Sequence, residues 1–142
     1  MKKLLSVIFM LALASSLQAQ NRPAQKVLID RFAALQKLDK AQIASFYAPN
    51  ATVIVSGEIF KTIEAYLSKQ LPEFEGSGVV FGNHQISQQK AEGNWAAATE
   101  TYDYSFKKGG KAIKGSGAAT YALQKIAGKW RIVQFHVSFK RQ

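Results

Sequence analysis

The chain has 142 residues, a length typical of one domain, and contains no cysteine. The lack of cysteine excludes disulfides, thiol catalysis and cysteine metal sites. The net charge of +10 is scattered along the sequence, except for four lysines within residues 107–114 around a Gly-Gly turn. This distribution predicts a solvated basic surface rather than a nucleic-acid or membrane site.

Residues 1–19 are expected to be a secretory signal peptide. Two lysines near the start precede an apolar run over residues 4–14, and small and polar residues follow. The run is too short to span a bilayer, which takes roughly 20 residues. Cleavage is expected after residue 19, with Ala14 as the alternative, so that residues 20–142 form a single mature domain that is periplasmic or secreted.

The front half of the mature sequence has the periodicity of helices. Residues 24–38 carry apolar side chains three and four positions apart, which predicts an amphipathic helix. Asp39 is expected to cap a short second helix. A β-branched stretch at 51–55 predicts a strand, and 60–71 predicts a third helix, which a proline ends.

The back half changes to the period of strands. Four long strands are predicted at 79–91, 95–106, 113–126 and 130–139, separated by three glycine-containing turns. Helices followed by a hairpin-linked meander indicate an α+β domain with an antiparallel sheet.

Alternation along these strands predicts which face of the sheet is buried. An antiparallel sheet with helices on one side buries its more apolar face beneath them. The concave, helix-facing side is therefore expected to carry Ala98, Glu100, Tyr102, Tyr121, Leu123, Val133, Phe135 and Val137. The outer face of the last strand is expected to carry Trp130, Ile132, Gln134, His136 and Ser138.

Two segments carry a family resemblance. The sequence FYAPNATV at 46–53 resembles the strand entry of NTF2-like domains. The sequence GKWRIVQFHVS at 128–138 resembles the terminal strand of SnoaL-like members and of the association domain of calmodulin-dependent kinase II. The resemblance covers residues 24–140. It implies an NTF2-like (cystatin-like) cone, in which helices pack on a strongly curved antiparallel sheet around a ligand pocket, and a homodimer formed through the outer face.

The resemblance does not extend to the catalytic residues of the ketosteroid isomerases. Those relatives use an aspartate base with a tyrosine and a protonated aspartic acid as oxyanion donors. Alignment places Val55 at the base position, Phe32 at the tyrosine position, and Ala119 or Thr120 at the donor acid. Valine accepts no proton and phenylalanine donates no hydrogen bond. Isomerase chemistry is therefore not expected, and the sequence argues against an enzyme.

Glu100 is the candidate chemical group that remains. On the concave face it would be a lone carboxylate among aromatic side chains, where burial without a partner raises its pKa. Alternatively, it accepts hydrogen bonds from Tyr47 or Tyr121, or lies in water at the mouth. The expected pocket lining is Phe32, Tyr47, Val55, Tyr66, Glu100, Tyr102, Tyr121 and Phe135.

The remaining polar residues indicate no metal or cofactor. His136 and Ser138 share a predicted outer face with Trp130, and these three are expected at a dimer contact. His84 and His136 are the only histidines and have no metal-ligand spacing, so no metal site is expected.

Three functions stay open. The first is a binding module for a small apolar or aromatic ligand. The second is a SnoaL-like cyclase, isomerase or lyase with Glu100 as base and Tyr47 or Tyr121 as donor. The third is a structural or partner-binding domain whose cone is filled by its own side chains, such as Phe32, Tyr66 and Phe135. A cavity of roughly 300 Å³ or more would favour the first two.

Overall fold

The computed structural model describes residues 23–142, with residues 88 and 89 described by their backbone only. The signal peptide predicted at 1–19 lies outside the described residues. Within 23–142, no helix has the length and apolar character needed to cross a membrane.

Three helices form one layer. Helix α1 covers residues 23–36, α2 is Lys40–Ser45 and α3 is Ile63–Gln70, followed by a 3₁₀ turn at Leu71–Glu73. The predicted cap of α2 is confirmed, because the Asp39 side chain accepts a hydrogen bond from the amide of Gln42. Helix α3 begins later than predicted.

Six strands form the second layer, a single sheet in the order β2-β1-β6-β5-β4-β3. Phe60, the first residue of the predicted third helix, belongs to β2 instead. The strands are β1 Tyr47–Val55, β2 Glu58–Phe60, β3 Val80–Glu92, β4 Trp95–Lys108, β5 Lys111–Ile126 and β6 Lys129–Arg141. The predicted α+β architecture and four-stranded meander are confirmed. The sheet is antiparallel except between β1 and β6, which run parallel. The last strand of the meander, β6, lies beside β1 and runs in the same direction.

A β-bulge in β6 corrects the predicted face of two residues. The sequence alternation placed Val133 inward and Ile132 outward, but Ile132 is fully buried and Val133 is half-buried. Ala122 pairs with Gln134 and the next residue, Leu123, pairs with Ile132, so Val133 is the extra residue of the bulge. One extra residue inverts the period-2 alternation for the part of the strand before it.

The bulge also separates the three residues predicted at a dimer contact. Trp130, which precedes the bulge, packs against the core together with Ile132. His136 and Ser138, which follow it, are exposed on the outer face. The other residues predicted on the concave face are buried beneath the helices: Ala98, Glu100, Tyr102, Tyr121, Leu123, Phe135 and Val137.

Candidate functional site

A cleft lined by aromatic side chains lies between the helices and the concave face of the sheet. Its interior has a volume of about 20 Å³ and is bordered by Arg31, Tyr47, Tyr66 and Tyr102, among others. A wider mouth of about 120 Å³ adjoins it. The two spaces are neighbours, because both are lined by Gln70, Phe74, Tyr104 and Phe139.

A buried ion pair lies beside the interior. Arg31 of α1 donates from Nη2 to Oε2 of Glu100 on β4 at 2.8 Å, and both side chains are almost completely buried. The guanidinium also lies over the rings of Tyr121 and Phe135, at 5.3 and 5.6 Å from their centroids. A buried charge requires such compensation, since desolvation of an ion without a partner is costly.

Glu100 has two further partners. The hydroxyl of Tyr121 donates to Oε2 at 2.5 Å, and Nε2 of His84 lies 2.7 Å from Oε1. Burial by itself would raise the pKa of Glu100, but the charge of Arg31 and the hydrogen bonds from His84 and Tyr121 outweigh it and lower the pKa. Glu100 is therefore buried as predicted, but it is an ionised, well-bonded carboxylate rather than a lone one.

A bulge in the edge strand β3 brings His84 to this carboxylate. Asn83 has a left-handed backbone with φ of 50°, and the pairing of β3 with β4 shifts between Gly82 and Gln85. The shift turns His84 inward, where its ring stacks on Phe32 at 3.7 Å between centroids. Bulges commonly re-aim a side chain in this way.

Two polar atoms at the inner end of the cleft have no hydrogen-bond partner among the described residues. They are Nε of Arg31 and the hydroxyl of Tyr47, and both are buried. Burial raises the pKa of Tyr47, while the charge and proximity of the Arg31 guanidinium lower it less, so the phenol stays neutral. The contact between the two side chains does not have the geometry of a hydrogen bond. The pair offers a ligand one N–H donor and one hydroxyl that can donate or accept.

Two glycines of β5 make room for the tyrosines of the wall. Gly115 lies opposite Tyr104 and Gly117 lies opposite Tyr102. A methyl group on Gly117 would come within 2.7 Å of the Tyr102 ring. The rings therefore lie across the glycine backbone instead of standing upright, and they close the floor of the cleft.

All eight residues predicted to line the pocket are buried, but only some of them reach the interior. Tyr47, Tyr66, Tyr102 and Phe135 line it. The other four belong to the surrounding core or to the ion-pair cluster: Phe32, Val55, Glu100 and Tyr121.

Of the two residues aligned with the donor acid of the isomerases, one faces inward. Ala119 is buried directly opposite Glu100, whereas Thr120 is exposed on the outer face. The small side chain of Ala119 offers no acid, so the position holds none of the isomerase chemistry.

Arg31 was not among the predicted site residues. It stands between Leu28 and Leu35, three and four positions from them, on the buried stripe of α1. A cation on an otherwise apolar stripe was the available signal, because such a residue must find a buried acid.

The comparisons with known proteins agree with this architecture. A family model described as SnoaL-like domain matches residues 25–142. The sequence has no match among curated proteins.

Solved structures show the same NTF2-like, cystatin-like fold. A ketosteroid isomerase-like protein from Erwinia carotovora atroseptica matches with a TM-score of 0.69 at 13% identity, over 84% of this chain and 95% of the other. An NTF2-like protein with a cystatin-like fold from Novosphingobium aromaticivorans matches with a TM-score of 0.74 at 15% identity, over 90% and 86%. A protein with a cystatin-like fold from Caulobacter vibrioides matches with a TM-score of 0.70 at 13% identity, over 84% and 88%. At these identities the likeness shows the fold alone.

Proposed function

The chain belongs to the SnoaL-like domain family, and we propose that it is a binding module for a small apolar or aromatic ligand that carries a hydrogen-bond acceptor. The ligand enters through the mouth and lies against the aromatic walls, with its acceptor at the inner end of the cleft. Concave, largely apolar sites with a few convergent polar groups are the usual form of ligand pockets.

The observation that carries the proposal is the unpartnered pair at the inner end. Nε of Arg31 and the hydroxyl of Tyr47 are both buried without a hydrogen bond from the described residues. Leaving a buried polar group unpaired costs about 1–3 kcal/mol. A ligand acceptor that reaches both atoms would offset that cost. Such a ligand would therefore bind more tightly than a purely apolar ligand of the same shape.

Proton transfer by Glu100 is disfavoured. Its pKa is lowered, so the carboxylate is a weak base at neutral pH and does not act as an acid. Both of its oxygens are already engaged, by Arg31 and Tyr121 on one side and by His84 on the other. Its role in the proposal is to neutralise Arg31 and hold it in place.

One observation favours a different function, that of a structural or partner-binding domain with a filled cone. The interior of about 20 Å³ has room for little more than one water molecule. A ligand must therefore occupy the mouth and displace side chains such as Tyr66 and Phe74, which border the interior. If those side chains do not yield, the cone serves only as a scaffold.

Tetralone and tetralin separate the two functions, because these bicyclic compounds differ only by a carbonyl oxygen. NMR titration of the wild-type protein should show both compounds perturbing the cleft, with tetralone bound more tightly. Tyr47→Phe, which keeps the ring, should weaken tetralone by about fivefold, the contribution of one hydrogen bond, and leave tetralin unchanged. If neither compound shifts the signals of Tyr47 and Tyr66, the filled-cone function stands instead.

We propose two further properties at the level of the whole protein. The first is export, with cleavage after residue 19. It is tested by sequencing the amino terminus of protein recovered from the periplasm or medium of its host. Recovery of the full-length chain in the cytoplasm would contradict it. The second is a homodimer formed through the outer face of the sheet, for which the exposed His136 and Ser138 are the candidate contacts.

A further inference from the structure

Three cations stand on the helix-facing side of the sheet at the end nearest the mouth. Arg141 lines the mouth itself. Lys108 lies 3.7 Å from Glu73, which also lines the mouth. Lys111 pairs with Lys108 across the β4–β5 turn and shares its face. Glu73 compensates Lys108, whereas Lys111 and Arg141 have no ion pair within the described residues, so the rim carries excess positive charge.

The wall directly beneath this rim is apolar. Phe74, Tyr104, Phe106 and Phe139 line the mouth, which has a volume of about 120 Å³. These four rings form three contacting pairs, two of them edge-to-face and one tilted, with 5.3 to 6.1 Å between centroids. An apolar wall that ends at a positively charged rim complements a molecule with an apolar body and a negatively charged head.

The two ends of the cleft differ in the charge that they favour. At the inner end, Arg31 is neutralised by Glu100 at 2.8 Å, so a neutral acceptor is matched there and a second anion would meet the Glu100 carboxylate. At the rim, Lys111 and Arg141 favour an anion, because opposite charges attract and water screens this exposed contact only in part.

We propose that the ligand of the cleft is an anionic amphiphile: its carboxylate, sulfonate or phosphate head contacts Lys111 and Arg141, and its apolar body lies against the aromatic wall. This specificity rests on the proposed binding function and adds the chemical class of the ligand to it. The head and the inner acceptor are separate groups of the molecule.

An anionic membrane surface is the competing partner for this charge. Lys114 and Lys140 lie at the same end of the sheet but on its outer face, opposite Ser105 and Ser116. A flat surface would use cations of both faces. Lys114 borders a separate space that Asp103 also lines. Arg141 lines the mouth beside the aromatic wall, so the structure favours the ligand in the cleft.

The test compares two fluorescent probes that share an aromatic body, anilinonaphthalene sulfonate and the neutral phenylnaphthylamine. Binding of each is measured to the wild-type protein, to K111Q/R141Q on the inner face, and to K114Q/K140Q as the matched control on the outer face. Both variants remove the same charge from exposed positions. Binding to phosphatidylglycerol vesicles is measured by sedimentation with the same three proteins.

The wild-type protein should bind the sulfonate more tightly than the neutral probe. K111Q/R141Q should weaken binding of the sulfonate about tenfold and leave binding of the neutral probe unchanged. K114Q/K140Q should change the binding of either probe by less than about twofold. Equal affinity of the wild-type protein for the two probes would overturn the charge specificity and leave the binding function intact. Equal losses in both variants, accompanied by vesicle binding, would assign the cations to a membrane surface. Failure of both probes to bind would overturn the binding function as well.

Discussion

Arg31 and Glu100 form an ion pair at 2.8 Å that joins the first helix to the middle of the sheet. The two residues are 69 positions apart in the sequence, so the contact exists only after the helix layer has closed over the concave face. It brings a charge of each sign into a core that otherwise consists of aliphatic and aromatic side chains.

Arg31→Met should lower the free energy of unfolding by about 3–5 kcal/mol, because it leaves Glu100 buried without its counter-charge. The double variant R31M/E100M should lose less than the sum of the two single variants, since removing both charges leaves neither of them uncompensated. Urea unfolding measures all three proteins.

The exposed pair between Lys69 and Glu58 is the matched control for this cycle, as its side chains are 61% and 54% exposed. Lys69→Gln should change the stability by less than about 1 kcal/mol. A loss in Arg31→Met no larger than that in Lys69→Gln would show that the buried pair does not hold the helix on the sheet.

Acid should remove the contribution of Glu100 to stability. The pKa of Glu100 is lowered by folding relative to its ordinary value of 4.5, so the unfolded chain binds the proton more readily. The stabilisation is therefore fully present well above pH 4.5, begins to decline near that pH, and is lost as the pH falls through the lower folded-state pKa. Urea unfolding at several pH values should show the difference between wild type and Glu100→Gln narrowing in acid. A difference that stays constant from neutral to acid pH would refute the lowered pKa.

Gly115→Ala should destabilise the protein by about 1–3 kcal/mol, the usual effect of overpacking. The added methyl group would lie 2.5 Å from the backbone oxygen of Lys140 and would also meet the Tyr104 hydroxyl. Gly82→Ala is the control, because its methyl group would have no atom within 4 Å and should change the stability by no more than about 0.5 kcal/mol. Equal effects of the two substitutions in urea unfolding would contradict the close packing of Tyr104 on Gly115.

His136→Asp should convert the proposed dimer to a monomer, because a two-fold interface would hold two added carboxylates close to each other. Light scattering measures the mass. Lys37→Asp, at an exposed position on the helix side, is the control and should leave the dimer intact. A dimer that persists in His136→Asp would rule out an interface centred on this part of the outer face.

The sequence by itself determined the order and type of the elements except for the short strand β2, whose last residue was predicted as helix. Hydrophobic period, caps and glycine turns are local signals, so the helices and the four long strands could be predicted, along with the inward side of Glu100, Tyr102 and Tyr121. The resemblance to the family, and not these local signals, placed Phe32 and Val55 at positions without isomerase chemistry.

Only the tertiary structure decided which face of the sheet carries the residues that precede the bulge in β6, and which partners the buried charges have. The bulge at Val133 depends on pairing with the neighbouring strand β5, so the alternation within one strand cannot predict it. Because of the bulge, Ile132 and Trp130 lie on the core side. The pairing of Arg31 with Glu100 arises from packing between distant segments. It makes Glu100 an ionised anchor instead of a lone carboxylate with a raised pKa, because a nearby positive charge outweighs the effect of burial.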